Sequence, residues 1–411
     1  MKDPLFSIAI PTKNRADRLR NAVRSVLAQT FDDLEVIVCD NSDEDQAAES
    51  AAVARSFDDP RIRYIRTSGQ LSMADNWEQA VASAQGRYVG VLTDRSVYRR
   101  HAMETAYREI ERTGSHGVSW FADMFGRDPN SSQLKRRECS FRRYHLSAES
   151  IFDFFLNGHP KFSAKIVPKL MTGVFGRAVL DEIRASPVGR CCPPVCPDFT
   201  SGFLFLAFAG SVLTLDEALY VSCGAGNGSA FRSRGDLGER FRRDLGMSWV
   251  DMVDRMPSAA CFSHALVTND LLRLRDAVPE RFPSVGLNRV QYYVGCLNDY
   301  VKTKRHGISR EEDLGLLLAQ LDTEPTDVQE EVKSTRVYLR SVQPAGKAKA
   351  ARVKPAPADG SPGAGFATVF DALSWDEENP RTPCKEGFLD SLPSVEAARR
   401  PRFVDRVLNK L

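Results

Sequence analysis

Apolar and polar positions alternate in blocks over the first 125 residues. "FSIAI" (6–10) is an uninterrupted apolar run of strand length, and in the following "ADRLRNAVRSVLAQ" the residues Leu19, Ala22, Val23, Val26 and Leu27 share one helical face. "LEVIVCD" (34–40) reads as a second strand. "SDEDQAAESAAVARSF" reads as a helix whose acidic opening suits the positive end of its dipole. "RIRYIRT" alternates with period two. "MADNWEQAVASAQG", "RYVGVLTD", "HAMETAYREIERTG" and "GVSWFAD" then continue as helix, strand, helix and strand, with Gly86 and Gly114 as helix stops. Strands separated by helices of this length predict right-handed crossovers and an α/β fold, a mostly parallel sheet with helices on both faces. In such a sheet ligands bind outside the carboxyl ends of the strands. The polar residues that follow the strands are therefore the ones to inspect: "PTKNR", "DNSDED" and "TDRS".

The pattern loosens from about 126 to 165 into a basic, aromatic insertion, "LKRRECSFRRYH" and "FDFFLNGHPKF", and sheet-like organisation returns from "LMTGVFGRAVLDEIR" to "ALYVSCGAGNGSAF". These features predict a first domain over 1–232 and a helical extension over 233–340. The Ala-, Pro-, Gly- and Lys-rich stretch 341–366 has the composition of a flexible linker. The tail 367–411 recovers aromatic residues and ends in a basic amphipathic stretch, "AARRPRFVDRVLNKL".

Composition narrows the classes. A chain of 411 residues, 42% of them apolar, can bury a sizeable core, and a net charge of +2 gives no field that argues for nucleic acid as a partner. The N-terminus lacks the pattern of a signal peptide, and the longest apolar run, "FLFLAFAGSVL" (203–213), is shorter than the roughly 20 residues that cross a bilayer. It reads as a buried helix, and the expected location is the cytoplasm, including the inner face of the membrane. Scattered cysteines such as Cys39, Cys223, Cys261 and Cys296 suit reduced packing thiols. The cluster "CCPPVC" (191–196) lacks the spacing and fourth ligand of a zinc site and reads as a proline-stiffened loop.

"FSIAIPTKNRADRLRNAVRSVLAQTFDDLEVIVCDNSDED" resembles the opening of the family 2 glycosyltransferases, through Pro-Thr-x-Asn-Arg after the first strand, the S-x-x-x-Q helix end and Asp-Asn-x-Ser-x-Asp after the second strand. The resemblance is specific from residue 5 to about 112 and weaker to about 232. It implies a GT-A, Rossmann-like fold and inverting transfer of a sugar from a nucleotide-sugar donor, UDP-linked, to a glycan, lipid-linked or small-molecule acceptor.

Inverting transfer sets three tasks: binding the nucleotide, stabilising the departing diphosphate, and taking a proton from the attacking hydroxyl. For the first, the resemblance implies Asp40 as a contact to base or ribose, with Pro11, Thr12 and Arg15 lining the adjacent loop; as local structure alone, Asp40 is a turn-former. For the second, the family keeps an acidic D-x-D cluster that holds Mg²⁺ or Mn²⁺. Here "TDRS" retains Asp94 and substitutes Arg95 and Ser96. Two readings stand: metal binding through Asp94, or charge compensation by Arg95 with help from Arg99 or Arg100. A third is a decayed site in a nucleotide-sugar binding protein without turnover. For the third task the resemblance implies Asp198, which as local structure would be a helix cap. Asp75 and Asn76 either face the donor or cap a helix, and the basic insertion is either a solvated face or a patch for an anionic acceptor or a membrane surface.

Overall fold

The computed structural model describes residues 3–126, 132–158, 165–224, 234–304, 308, 310–343 and 365–390. The described residues fall into two compact units. Those within Met1–Ser147, Pro168–Ala225 and Pro355–Ser391 form the first, and those within Ala148–Val167 and Gly226–Lys354 the second.

The first unit begins with β1 (Phe6–Thr12), α1 (Ala16–Leu27), β2 (Leu34–Asp40), α2 (Glu44–Arg55), β3 (Ile62–Arg66), α3 (Met73–Ala82) and β4 (Tyr88–Val91). β1 and β2 are buried at every position, as a parallel strand covered on both faces must be. β5 (Ser96–Tyr98), α4 (Ala102–Thr113), β6 (Gly117–Phe125), β7 (Leu134–Lys135) and β8 (Arg143–Ser147) follow. After α5 (Ala148–Asn157), which belongs to the second unit, come β9 (Gly173–Gly176), α6 (Arg177–Ala185), α7 (Pro197–Ala209) and β10 (Ser211–Cys223).

The sheet runs β3-β2-β1-β4-β9-β6-β10-β5. Its first four strands are parallel, whereas β9 runs antiparallel to both neighbours and β5 antiparallel to β10. The chain steps from β1 outward to β2 and β3, then returns through α3 to β4 on the other side of β1. Right-handed crossovers put α1 and α2 on one face and α3 on the other, so the order reverses between β1 and β4. Gly90 is needed beside β9, because a Cβ there would stand 2.9 Å from the carbonyl oxygen of Gly173.

Two expectations need correction. The apolar run 203–213 is not one helix: α7 stops at Gly210, in the left-handed region at φ 74°, and Ser211 opens β10. The sheet is mostly parallel, as expected, and its second half adds the antiparallel strands β5, β7, β8 and β9. The tail is not separate. α14 (Val369–Glu378) packs Val369, Ala372 and Leu373, with Phe366 just before it, onto Val97, Leu134 and Val221 of the sheet. The expected linker falls mostly outside the described residues, as do most of the glycine-rich stretch 222–231 and the last basic stretch.

The second unit is helical: α5, α8 (Asp236–Asp244), α9 (Ser263–Ala277), α10 (Arg289–Lys304), α11 (Glu311–Leu321), α12 (Thr326–Lys333) and α13 (Arg336–Val342). Its centre is α10, whose Tyr292, Tyr293 and Tyr300 are fully buried. Tyr293 and Tyr300 donate their hydroxyls to Glu324 and Glu311 (2.8 and 2.6 Å), so the polar tips are satisfied while the rings fill the core.

Candidate functional site

Three strand ends meet where the order reverses. Thr12 ends β1 in register with Asp40, which ends β2, and Asp94 follows β4 by three residues. The loops are tied together. Asn14, at φ 55°, exchanges hydrogen bonds with Asp43 (2.6 and 2.8 Å) and donates its N–H to Ser42 Oγ (2.8 Å). Asparagine tolerates the left-handed region better than most residues, which accounts for its place in the loop.

Asp40 is fully buried and accepts hydrogen bonds from the Tyr64 hydroxyl (2.7 Å) and the Ser42 N–H (2.9 Å). Burial and the Asp40 bond push the Tyr64 phenol up, so it stays a donor. Arg66 donates to the carbonyl oxygens of Asp40 (2.9 Å) and Ser42 (2.5 Å). Pro11 is buried in β1 opposite Cys39.

Asp94 and Arg95 occupy the two central positions of a tight turn closed by Ser96 N–H to Thr93 O (2.9 Å). A triangle of hydroxyls pins it: Thr93 to Ser96 at 2.8 Å, Thr93 to Tyr220 at 3.0 Å and Tyr220 to Ser96 at 2.6 Å. The Asp94 side chain is 4% exposed, accepting from Thr12 Oγ1 (3.0 Å) on Oδ2 and from Arg15 Nη1 (3.3 Å) on Oδ1. Burial pushes its carboxyl above the usual carboxylate range, against the opposing pull of Arg15 and Thr12. Arg95 is half-buried with its Nη1 unpartnered, and its charge is felt at Tyr220 and Cys223. Arg18 acts on both Asp94 and Cys223, so Arg15, Arg18 and Arg95 form one cationic patch around the turn.

Arg99 and Arg100 do not join that patch, correcting one reading of the sequence. Arg99 is buried and bound to Asp123, Asp376 and the Ala218 carbonyl, while Arg100 is exposed.

Asp198 lies in the first turn of α7 after Pro197, with Cys196 at the cap position and no side-chain cap, so it is not the N-cap residue. It pairs with Lys169 (3.4 Å), whose ammonium sits 3.5 Å over the Phe199 ring. β9 starts at the carboxyl end of β4, and Lys169 precedes it by four residues, so Asp198 is held at the same sheet edge as Asp94.

Two other candidates resolve into structure. Asp75 accepts from Ser72, the cap of α3, and from Arg190 (2.8 Å). Asn76 donates to the Thr12 carbonyl (3.3 Å), with its Oδ1 buried and unpartnered. "CCPPVC" is anchored by Glu78, which accepts from the N–H groups of Cys191 and Cys192 (2.7 Å each), and burial pushes the Cys191 thiol up to about 12. The basic insertion is not a free cationic face. Arg136 pairs with Asp376, Arg137 with Asp216, Arg142 with Asp390, and Arg143 with Glu109 and Glu217. Sequence reasoning missed Tyr64 and Lys169, because each meets its carboxylate only through the fold.

Buried strands, an order reversal beside β1 and polar loops at the carboxyl edge define a nucleotide-binding type of α/β domain. Residues 7–167 match the model of Glycosyl transferase family 2. An "Uncharacterized glycosyltransferase" of Rickettsia bellii is 35% identical over 182 residues, 44% of this chain and 24% of the relative. The chondroitin synthase of Pasteurella multocida is 33% identical over 109 residues, 26% of this chain and 11% of that protein. The chain thus spans a minor share of the length of either relative. A solved structure of S. aureus TarS residues 1–349 with UDP-GlcNAc aligns with a TM-score of 0.45 at 15% identity, covering 80% of this chain and 90% of that one. No helix among the described residues is long and apolar enough to cross a membrane.

Proposed function

We propose that the chain is an inverting glycosyltransferase that moves a sugar from a UDP-linked donor to an acceptor hydroxyl. The observation that carries this reading is the convergence of Thr12, Asp40 and Asp94 at the strand-order reversal, inside the segment that matches family 2. Asp40, held by Tyr64 and Ser42, keeps acceptor capacity for the base or ribose, and Pro11 and Thr12 line the loop beside it. Asp94, Arg15 and Arg95 face the diphosphate.

Asp198 is the proposed general base. The acceptor oxygen bonds to the anomeric carbon from the face opposite the departing diphosphate, the bond from that carbon to the diphosphate oxygen breaks, and Asp198 takes the acceptor proton. Lys169 beside it holds the carboxylate in place at the head of α7. The likeness to a chondroitin synthase supports a glycan acceptor.

The test is Asp198→Asn in the full chain, with UDP binding measured by calorimetry and sugar transfer or donor hydrolysis measured by UDP release. Turnover should fall by roughly 10²- to 10⁴-fold with UDP affinity unchanged. Unchanged turnover would reduce Asp198 to a partner of Lys169. UDP binding without turnover in the parent chain, toward any donor or glycan acceptor, would favour a binding protein.

A further inference from the structure

The family implies a divalent cation at the diphosphate, and the residues at this site do not fit one. A hard cation such as Mg²⁺ takes six oxygen ligands and relies on carboxylates and phosphate oxygens. The turn offers one carboxylate, and both oxygens of Asp94 are already engaged, one by a guanidinium. Of the two positions that could supply further acids, the first is Arg95. The second is Ser96, 1% exposed and hydrogen-bonded to both Thr93 and Tyr220. Among the described residues, no three of His, Cys, Asp or Glu cluster as metal ligands.

The same turn holds what a diphosphate needs instead. Arg15 spends one Nη on Asp94 and is 41% exposed, leaving its other donors toward solvent. Arg95 holds an Nη1 with no acceptor, in a turn fixed by three hydroxyls. A buried donor without a partner is costly to the empty protein and is satisfied when an acceptor arrives. A guanidinium keeps its charge at any working pH and meets phosphate oxygens with two parallel N–H groups.

We propose that Arg15 and Arg95 hold the nucleoside diphosphate without a divalent cation, with Asp94 acting as the positioning residue that aims Arg15 rather than as a metal ligand. Resting on the donor reading above, this replaces its metal with two arginines. It also makes the leaving-group charge independent of cation supply, with Arg18 adding to the field around the turn.

The experiment is calorimetric titration of UDP, GDP, CDP and ADP into the full chain, in EDTA and then in Mg²⁺ or Mn²⁺, with melting curves for every variant. The parent should bind UDP with the same affinity, within about twofold, in EDTA and in metal. Arg15→Gln and Arg95→Gln should each weaken UDP by roughly tenfold or more in both conditions, the loss of a charged hydrogen bond. Arg15→Lys, which keeps the charge but not the fork, should fall between Arg15→Gln and the parent. Asp94→Asn should weaken UDP less than Arg15→Gln, again with no metal dependence. UDP binding that appears only with Mg²⁺ or Mn²⁺, vanishes in Asp94→Asn and ignores Arg15→Gln would overturn the proposal and leave the donor reading standing. No binding of any of the four nucleotides, with or without metal, would overturn both.

Discussion

One end of "VLTDRSVYRR" carries Asp94 and Arg95, and the other carries Arg99; each joins a carboxylate–arginine cluster built to a different rule. Around Asp94 the charges are under-satisfied: Arg15 is 41% exposed and Arg95 has an unpartnered donor. Around Arg99 they are closed. Arg99 is bound to Asp123 and Asp376, Arg381 to the same two carboxylates, and Arg136 to Asp376, with Asp123 fully buried. Buried charges that satisfy one another act as a cross-link. Charges left half-satisfied at a strand end are poised for a ligand.

The closed cluster is also how the C-terminal segment becomes part of the first unit. Phe388 packs edge-on against Phe121, and Arg137 lies over both rings, 3.8 and 4.8 Å from their centres. The N–H of Phe388 donates to Asp216 (3.2 Å), and that of Cys384 to the Cys139 carbonyl (3.0 Å).

The comparison can be broken most severely by removing that segment. A chain ending at Gln343 strips the apolar cover from Val97, Leu134 and Val221 and takes Asp376 from Arg99 and Arg381 from Asp123. It should fail to give a cooperatively melting first unit by calorimetry, whereas a site variant such as Arg15→Gln should melt like the parent. Next in size is Asp123→Ala, which leaves Arg99 and Arg381 short of a buried partner. It should cost about 3–5 kcal/mol in a denaturant titration. A loss near zero would mean that the cluster is not a cross-link.

On the site side, Tyr64→Phe removes one of the two hydrogen bonds on Asp40 at constant shape. It should cost about 1 kcal/mol, seen as a roughly fivefold weaker UDP isotherm, with no change in the closed cluster. The smallest effect is the most diagnostic. Asp94 has a folded pKa raised by burial, so its ionisation opposes folding. The stability it contributes is complete below the unfolded value, about pH 4, and is lost as pH rises through the folded value. Asp94→Asn should therefore melt slightly higher than the parent at neutral pH, and the gap should close below about pH 4. An Asp94→Asn variant that melts lower at neutral pH would show that the Arg15 pair outweighs the burial cost.

Much of this was legible in the sequence and some was not, and particular residues show why. The runs "FSIAI" and "LEVIVCD" fixed β1 and β2, because strands buried on both faces must be apolar throughout and the intervening helix must show its own period. Those strand ends place Thr12, Asp40 and Asp94 at one edge, since parallel strands carry their carboxyl ends together. The partners that tune these residues lay beyond local pattern. Tyr64 meets Asp40 across 24 positions, Arg15 meets Asp94 across 79, and Arg99 meets Asp376 across 277. The arginine-rich stretch 136–143 reads as a surface charge run, and only the closed fold turns it into ion pairs: Arg136 and Arg142 with Asp376 and Asp390 of the returning segment, Arg137 and Arg143 with Asp216, Glu109 and Glu217. Hydrophobic period is a property of neighbours in the chain, whereas the pairing of a buried charge depends on which distant carboxylate the closed fold brings within reach. For this protein the first determined the scaffold, and the second decided which arginines are left for a ligand.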